Sequence, residues 1–256
     1  MKTAVISGGN GGLGRALAAQ LEAQGWHCVL MDVNIAGLKP SKSRTPVAVD
    51  LTDNAALERA AADIIAARPS IDMVIYNAGV SQIASFEETD ADSHRRVFEI
   101  NYFAAVEMAR AFLQPVRSSG GTHLAISSVA GFAPLHGRTA YAASKHALQG
   151  FFSSLRSEEA AFGVSCLIAA PSFVATNIGN AERSDDGILR PGAAADGIDY
   201  MSPEAAAKVI LRGVWKRREF IPVGRVAWLA SWLMRLSPEL YQRSMLRNLR
   251  ANNPEN

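Results

Sequence analysis

The sequence predicts an α/β fold, a single doubly wound domain with a parallel sheet of about seven strands and helices on both faces. Three observations predict it. Short apolar runs alternate with helix-length amphipathic segments, each pair joined by a short loop, the pattern of a parallel sheet covered on both sides. The first apolar run stops in a glycine-rich turn that leads straight into a helix. Gly14, Asp32, Asp50 and Asn77 all fall at carboxyl ends of apolar runs, where such a sheet binds its ligand.

The first strand is Thr3–Ser7, followed by Gly8-Gly9-Asn10-Gly11-Gly12-Leu13-Gly14 and a helix pattern over residues 15–24 with Gly25 as its C-cap. Strand, glycine loop and helix form a phosphate-binding turn. The glycines allow close backbone approach, and the helix N-terminus offers free N–H groups to a pyrophosphate. Two spacings overlap, Gly9/Gly11/Gly14 and Gly8/Gly12/Gly14. The second strand, 27–31, ends in Asp32, 18 residues beyond Gly14 and near the distance at which a carboxylate meets the adenosine ribose. A carboxylate there accepts both ribose hydroxyls and repels a 2′-phosphate. No basic residue stands at Val33 or Gly11, so NAD is favoured over NADP.

Residues 37–46 read as a surface loop and 46–51 as a third strand; Thr52-Asp53 can cap an alanine-rich helix to about residue 67. The fourth strand, 71–76, breaks at Asn77-Ala78-Gly79. A long helix pattern over 94–116 places Asn101 among apolar and aromatic residues. On that pattern alone it reads as a satisfied core polar group. The fifth strand is Thr122–Ile126, ending in Ser127-Ser128. A helix over 141–162 follows, then a sixth strand, 164–170, stopped by Pro171. On that helix Tyr141 and Lys145 lie four apart on one face. A nearby ammonium favours a phenolate and pulls a tyrosine down from its usual value of about 10 towards efficient proton transfer. Taken alone, the pair is more often a partly buried aromatic beside a solvated charge.

The chain has 256 residues, 48% hydrophobic and 20% charged, which is ordinary globular usage. A net charge of +2 is too mild to argue for nucleic acid. Cys28 and Cys166 sit inside apolar strands without metal-ligand spacing, so buried free thiols, no metal and a reducing cytoplasm are expected. No signal peptide is read at Met1-Lys2-Thr3, and no apolar run reaches the roughly 20 residues of a membrane span.

Together these residues resemble the short-chain dehydrogenase/reductase family over about the first three-quarters of the chain, a Rossmann-type fold. The glycine turn resembles T-G-x-x-x-G-x-G with Ser7 for threonine. Asp50-Leu51 resembles the adenine-contacting pair, and Tyr76-Asn77-Ala78-Gly79 the N-N-A-G turn with its first asparagine replaced. Asn101 falls on the family's helix asparagine. Ser128 stands 13 positions before Tyr141, and Lys145 completes Y-x-x-x-K. Pro171-Ser172-Phe173-Val174-Ala175-Thr176 resembles P-G-x-x-x-T with Ser172 for glycine.

The resemblance implies an NAD(P)-dependent oxidoreductase. In it Tyr141 exchanges a proton with the substrate oxygen and Ser128 orients that oxygen. Lys145 lowers the tyrosine pKa and holds the nicotinamide ribose, and Asn101 fixes a relay water. Gly8, Asn10, Gly12, Leu13, Gly14, Asp32, Asp50, Leu51, Asn77, Ala78, Gly79, Tyr141, Lys145, Pro171, Val174 and Thr176 would hold the cofactor.

Residues 1–224 are read as the dinucleotide-binding and catalytic part, with a substrate lid over 177–202. Ser202-Pro203-Glu204 opens another helix, residues 220–223 are the seventh strand, and 225–256 form an amphipathic helical extension of the same domain. The extension, with Trp228, Trp232 and several arginines, has three readings in descending order. It packs on its own domain or a partner subunit, lies on a membrane surface, or caps a lipophilic pocket. The V-D-G-G ending that packs many tetrameric relatives is missing, so a homodimer through the two long helices is favoured over a homotetramer. Pocket walls are expected at 80–83, 130–136, Ser172, Phe173 and Ile178. They are mostly apolar, His136 excepted, and His136 is given no catalytic role. A lipophilic secondary alcohol or ketone, a steroid being one example, is the expected substrate. The alternatives are a 3-oxoacyl thioester reductase, which Asp32 disfavours, and a non-catalytic dinucleotide sensor, which retention of Ser128, Tyr141 and Lys145 disfavours.

Overall fold

Every residue of the first strand, β1 (Thr3–Ser7), is buried, so its alternating side chains serve two different cores. Ala4 and Ile6 point into one, Val5 into the other. The computed structural model of the chain describes residues 1–68, 70–176, 188–189 and 200–252. Its strands are β1, β2 (His27–Asp32), β3 (Arg44–Ala48), β4 (Met73–Tyr76), β5 (Ser81–Gln82), β6 (Thr122–Ile126), β7 (Ser165–Pro171), β8 (Ile188–Leu189) and β9 (Phe220–Val223). Seven of them form one sheet in the order β3-β2-β1-β4-β6-β7-β9, with every neighbouring pair parallel. The chain reverses its direction of winding between β1 and β4, which opens a crevice at the carboxyl ends of those strands.

Helices α1 (Gly12–Glu22) and α6 (Pro203–Trp215) cover one face, burying Leu17, Leu21, Ile210 and Leu211 against Ile6 and Leu30. On the other face α2 (Asn54–Ala67), α4 (Ala104–Ser119) and α5 (Thr139–Glu159) bury Leu57, Phe112 and Phe152 against Val5 and Val74. Asp53 caps α2 by accepting from the Ala56 amide at 3.0 Å, and Ser202 caps α6 by accepting from the Ala205 amide at 3.2 Å. Cys28 and Cys166 are buried free thiols, each pushed up to about 12 by burial and hence inert.

Three expectations need adjustment, and one feature was unforeseen. The first helix starts at Gly12, three residues early, because the glycine turn itself takes up helical geometry. The third strand is Arg44–Ala48 rather than 46–51. It is the sheet's edge, where Pro46 is tolerated, and Asp50 turns away to accept from the Thr52 amide and hydroxyl. The long helix expected over 94–116 begins as α3 (Ala91–Phe98) and passes through a π-helical turn, Glu99–Phe103, before α4. The wider turn accommodates an extra residue and swings Asn101 inward. Finally, β5 and β8 pair antiparallel as a small second sheet, unforeseen because two residues carry no periodicity. Most of the expected lid over 177–202, Ile178 included, lies outside the described residues. After Gly224 the chain forms α7 (Arg225–Leu236) and α8 (Pro238–Asn252). The small face of α7, Ala227 and Ala230, packs on Val129 and Ala133 just beyond Ser128.

Candidate active site

One cavity of about 1590 Å³ runs along the carboxyl ends of the strands. At one end it meets Gly8, Gly12, Leu13, Asp32, Asp50, Leu51 and the Asn77-Ala78-Gly79 turn; further along it meets Ser128, Tyr141, Lys145, Pro171, Val174 and Thr176. The predicted groups therefore share one space, with Asn10, Gly14 and Asn101 outside its lining.

The glycine turn is shaped by close approach. A Cβ on Gly14 would overlap the Gly8 carbonyl oxygen and stand 3.0 Å from Gly9 Cα; one on Gly12 would stand 2.8 Å from the Thr176 carbonyl oxygen. Gly11, by contrast, would meet only the Gly8 oxygen at 3.3 Å. A Cβ on Gly9 would stand 2.6 Å from Leu30 Cβ and one on Gly8 2.9 Å from Ala78 Cα, so every glycine of the Gly8/Gly12/Gly14 spacing is confined, whereas Gly11 in the other is not. The N-terminus of α1 has no side-chain cap and no acidic residue in its first turn, and it faces the cavity. Unsatisfied N–H groups and a positive dipole end suit a pyrophosphate. Gly14→Ala is expected to cost about 1–3 kcal/mol through overpacking and to weaken dinucleotide binding as well. Thermal melts with and without NAD would measure both.

At the adenosine end, Asp32 accepts from the Asn10 amide at 2.9 Å and from the Asn34 amide at 3.1 Å, which holds its carboxylate at the cavity wall. Asn10 fastens the corner by donating to the Asn34 and Ala36 carbonyls, while Arg15 Nε donates to Asn10 Oδ1 at 2.9 Å. Arg15 is a cation near this corner that the positions Val33 and Gly11 did not disclose.

The three departures from the family pattern have local explanations here. Ser7 does the work of a threonine. Its hydroxyl accepts from the Asn77 and Ala78 amides at 3.0 and 3.1 Å, tying the end of β1 to the turn after β4. Asn77 Nδ2 in turn donates to the Ser7 and Gly8 carbonyls. Tyr76 is a core residue, its hydroxyl 2.6 Å from His123 Nδ1 and its ring against Phe152. The third departure, Ser172, donates to the Val223 carbonyl at 3.2 Å and fills the space beside Gly224, where φ is +97° and a Cβ would collide with the serine hydroxyl.

At the reacting end, Ser128, Tyr141 and Lys145 are all buried. Tyr141 and Lys145 share one face of α5, and Lys145 Nζ donates to the Ile126 carbonyl at 3.0 Å. Burial raises the Tyr141 phenol above its ordinary range, opposed by its hydrogen bond with Ser128 and then by the charge of Arg138. Burial also pulls Lys145 down to about 8. In this structure burial outweighs the neighbouring charges on the phenol, Arg138 being the cation that opposes the rise; the role expected of Lys145 belongs to the proposed reaction. Arg138 was missed although it stands three residues before Tyr141, one turn away; its Nη1 donates to Ser81 Oγ at 2.9 Å.

Asn101, in the π-turn, uses both of its side-chain N–H groups and one lone pair of its oxygen. Its Oδ1 accepts from the Val80 amide at 2.8 Å, and its Nδ2 donates to the Val80 carbonyl and to Ser144 Oγ. It braces the segment after β4 against α5. The substrate end has apolar walls from Val80, Ile83, Leu135, Phe173, Leu229 and Leu233, but Glu88, Arg96, His136 and Arg138 line it too. It is more polar than the sequence suggested.

Residues 2–187 match the family model described as short chain dehydrogenase. The chain is 33% identical over 257 residues to dehydrogenase/reductase SDR family member 7B of Xenopus laevis, spanning 93% of this chain and 78% of that protein. It superposes on a short-chain dehydrogenase from Burkholderia cenocepacia, solved in complex with NADP, with a TM-score of 0.83 at 21% identity over 95% and 97% of the two chains. A short-chain dehydrogenase from Streptomyces avermitilis gives a TM-score of 0.79 at 24% identity over 96% and 98%. At those identities the two solved structures establish the shared fold.

Proposed function

The chain belongs to the short-chain dehydrogenase/reductase family of NAD(P)-dependent oxidoreductases, and on that premise we propose that it interconverts a lipophilic secondary alcohol and its ketone through Tyr141, Ser128 and Lys145. The observation that carries the reading is their burial together on one cavity that also meets the glycine turn and Asp32. The nicotinamide ring, when bound, accepts or supplies the hydride. Tyr141 gives a proton to the substrate oxygen in reduction and takes it in oxidation. Ser128 orients that oxygen, since a hydroxyl already within reach of the phenol needs no rearrangement to do so. Lys145 reaches the ribose hydroxyls and supplies positive charge beside the phenolate. Asn101 holds the Val80 segment and, in the proposed reaction, the relay water.

The chain takes a dinucleotide, and Asp32 supports NAD as the preferred form. Oxidation of a panel of secondary alcohols of graded ring size, followed as NADH absorbance, tests the reading. Turnover should rise with apolar bulk, and no turnover with any of them despite tight NAD binding would leave a sensor instead. In the same assay Asp32→Ala should raise KM for NAD about 10- to 100-fold, the loss of hydrogen bonds to a charged acceptor, and narrow the preference against NADP. For assembly, Phe103 lies 46% exposed beside Tyr102 at the start of α4, which supports a homodimer through α4 and α5.

A further inference from the structure

We infer that the outer face of α7 and α8 docks on the surface of an anionic lipid bilayer and holds the cavity mouth against it. This goes beyond the proposed reaction and does not depend on which alcohol is turned over.

The small face of α7 is already satisfied by its own domain, with Ala227, Ala230 and Ser231 turned inward. What remains is an apolar row facing solvent. Trp228 is 53% exposed, Leu229 59%, Trp232 50% and Leu236 78%. Trp228, Trp232 and Leu236 recur every fourth residue, so they share one stripe, and the two indoles pack edge to face 6.3 Å apart. Leu240 and Leu246 extend the exposed apolar surface onto α8. The row is continuous with the cavity, because Leu229 lines its mouth together with Leu233 and Met245.

Charge decides what covers this face. Residues 225–256 contain five arginines and two glutamates, whereas the whole chain carries only +2, so its positive charge is concentrated here. Arg225, Arg235, Arg243 and Arg247 are exposed around the apolar row. A second copy meeting this face symmetrically would set the same arginines against each other, a repulsive arrangement. An anionic bilayer answers both features at once: headgroups for the arginines, and the acyl boundary for tryptophan and leucine. With 12 residues α7 is about 18 Å long, too short to cross a bilayer core of about 30 Å, so it lies in the plane of the surface. A sparingly soluble substrate could then enter past Leu229 without crossing water.

The test uses the full chain, sedimented with vesicles of phosphatidylcholine alone or mixed with phosphatidylglycerol, with tryptophan emission recorded in parallel. Binding to the anionic vesicles with a blue-shifted emission, released by high salt, is expected. The double variant Arg235→Gln with Arg243→Gln should partition about 25-fold more weakly, about five-fold for each positive charge lost. Trp228→Gln with Trp232→Gln should lose the emission shift and most binding. Both variants should keep wild-type kcat on a water-soluble alcohol. If either melts well below wild type, Leu236→Gln, the most exposed of the row, takes its place. Absence of binding to anionic vesicles, or binding indifferent to lipid charge and salt, would overturn the inference. So would a lipid-free dimer in sedimentation velocity that the tryptophan variant dissociates, since the face would then belong to a second copy.

Discussion

Tyr141→Phe is expected to lower kcat by about 10³-fold or more, within the range that positioned proton transfer contributes, while NAD affinity stays within about two-fold of wild type. The phenol is the group that exchanges a proton with the substrate oxygen in the proposed reaction. Its removal leaves the ring where it packs, with Lys145 Nζ 5.9 Å from the ring centroid and still donating to the Ile126 carbonyl. Ser128 is not stranded either, because its hydroxyl accepts from the Ala130 amide at 3.2 Å. Stability should therefore move by no more than about 1 kcal/mol, the net worth of one hydrogen bond. Steady-state kinetics beside fluorescence titration with NADH separates the two effects. Comparable turnover in the variant would remove Tyr141 from the chemistry. The pH profile adds a sign. Burial raises the phenol, so oxidation, which needs it deprotonated, should gain with rising pH, whereas reduction should hold until the phenol ionises.

Where sequence and structure agree, the reason is periodicity or a spacing with a physical cause. β1 was legible to the residue because an unbroken apolar run between a polar start and a glycine turn leaves it no other register. Gly8, Gly12, Asp32, Asn77, Ser128, Tyr141 and Lys145 could be placed together because a doubly wound sheet brings all its strand ends to one edge. The π-turn at Glu99–Phe103 was not legible. One extra residue per turn leaves composition unchanged, and only the hydrogen bonds of Asn101 to Val80 and Ser144 reveal why the helix widens there. Arg138 escaped for a different reason: an arginine at a helix start is ordinary until the fold buries a phenol one turn later. The tail illustrates the limit of amphipathicity. Its stripe of apolar residues was plain, but two opposed faces of α7 are apolar, the small one packing inward and the large one outward, and side-chain size alone does not say which is which.

Lys145→Met should move activity and stability in opposite directions. The lysine is buried, and burial alone accounts for its fall from 10.5 to about 8. At about 1.4 kcal/mol per unit, holding the ammonium there costs the fold roughly 3 kcal/mol relative to the neutral amine. The folded pKa lies below the unfolded one. Between about pH 8 and 10.5 the unfolded chain therefore binds a proton that the folded chain lacks, and stability rises with pH across that window. Below pH 8 both states are charged and the full cost stands. Methionine removes the cost with a side chain of similar length, but it also removes the hydrogen bond to the Ile126 carbonyl, about 1.5–3 kcal/mol for a charged donor. The balance near pH 7 is a gain of about 1 kcal/mol, which is a Tm rise of about 2–4 °C at this chain length. Near pH 10.5 the cost of the charge is gone while the lost hydrogen bond remains, so the variant should then melt below wild type. Activity should fall sharply at every pH, through a higher KM for NAD and a lower kcat together, since the ammonium serves both the ribose and the phenolate in the proposed reaction. Melting curves from pH 6 to 10.5 without nucleotide, set beside kinetics, check this. A Tm difference that does not change sign with pH would mean that Lys145 is held there at no electrostatic cost. A change of sign would identify it as a cation the fold tolerates only because the reaction needs it.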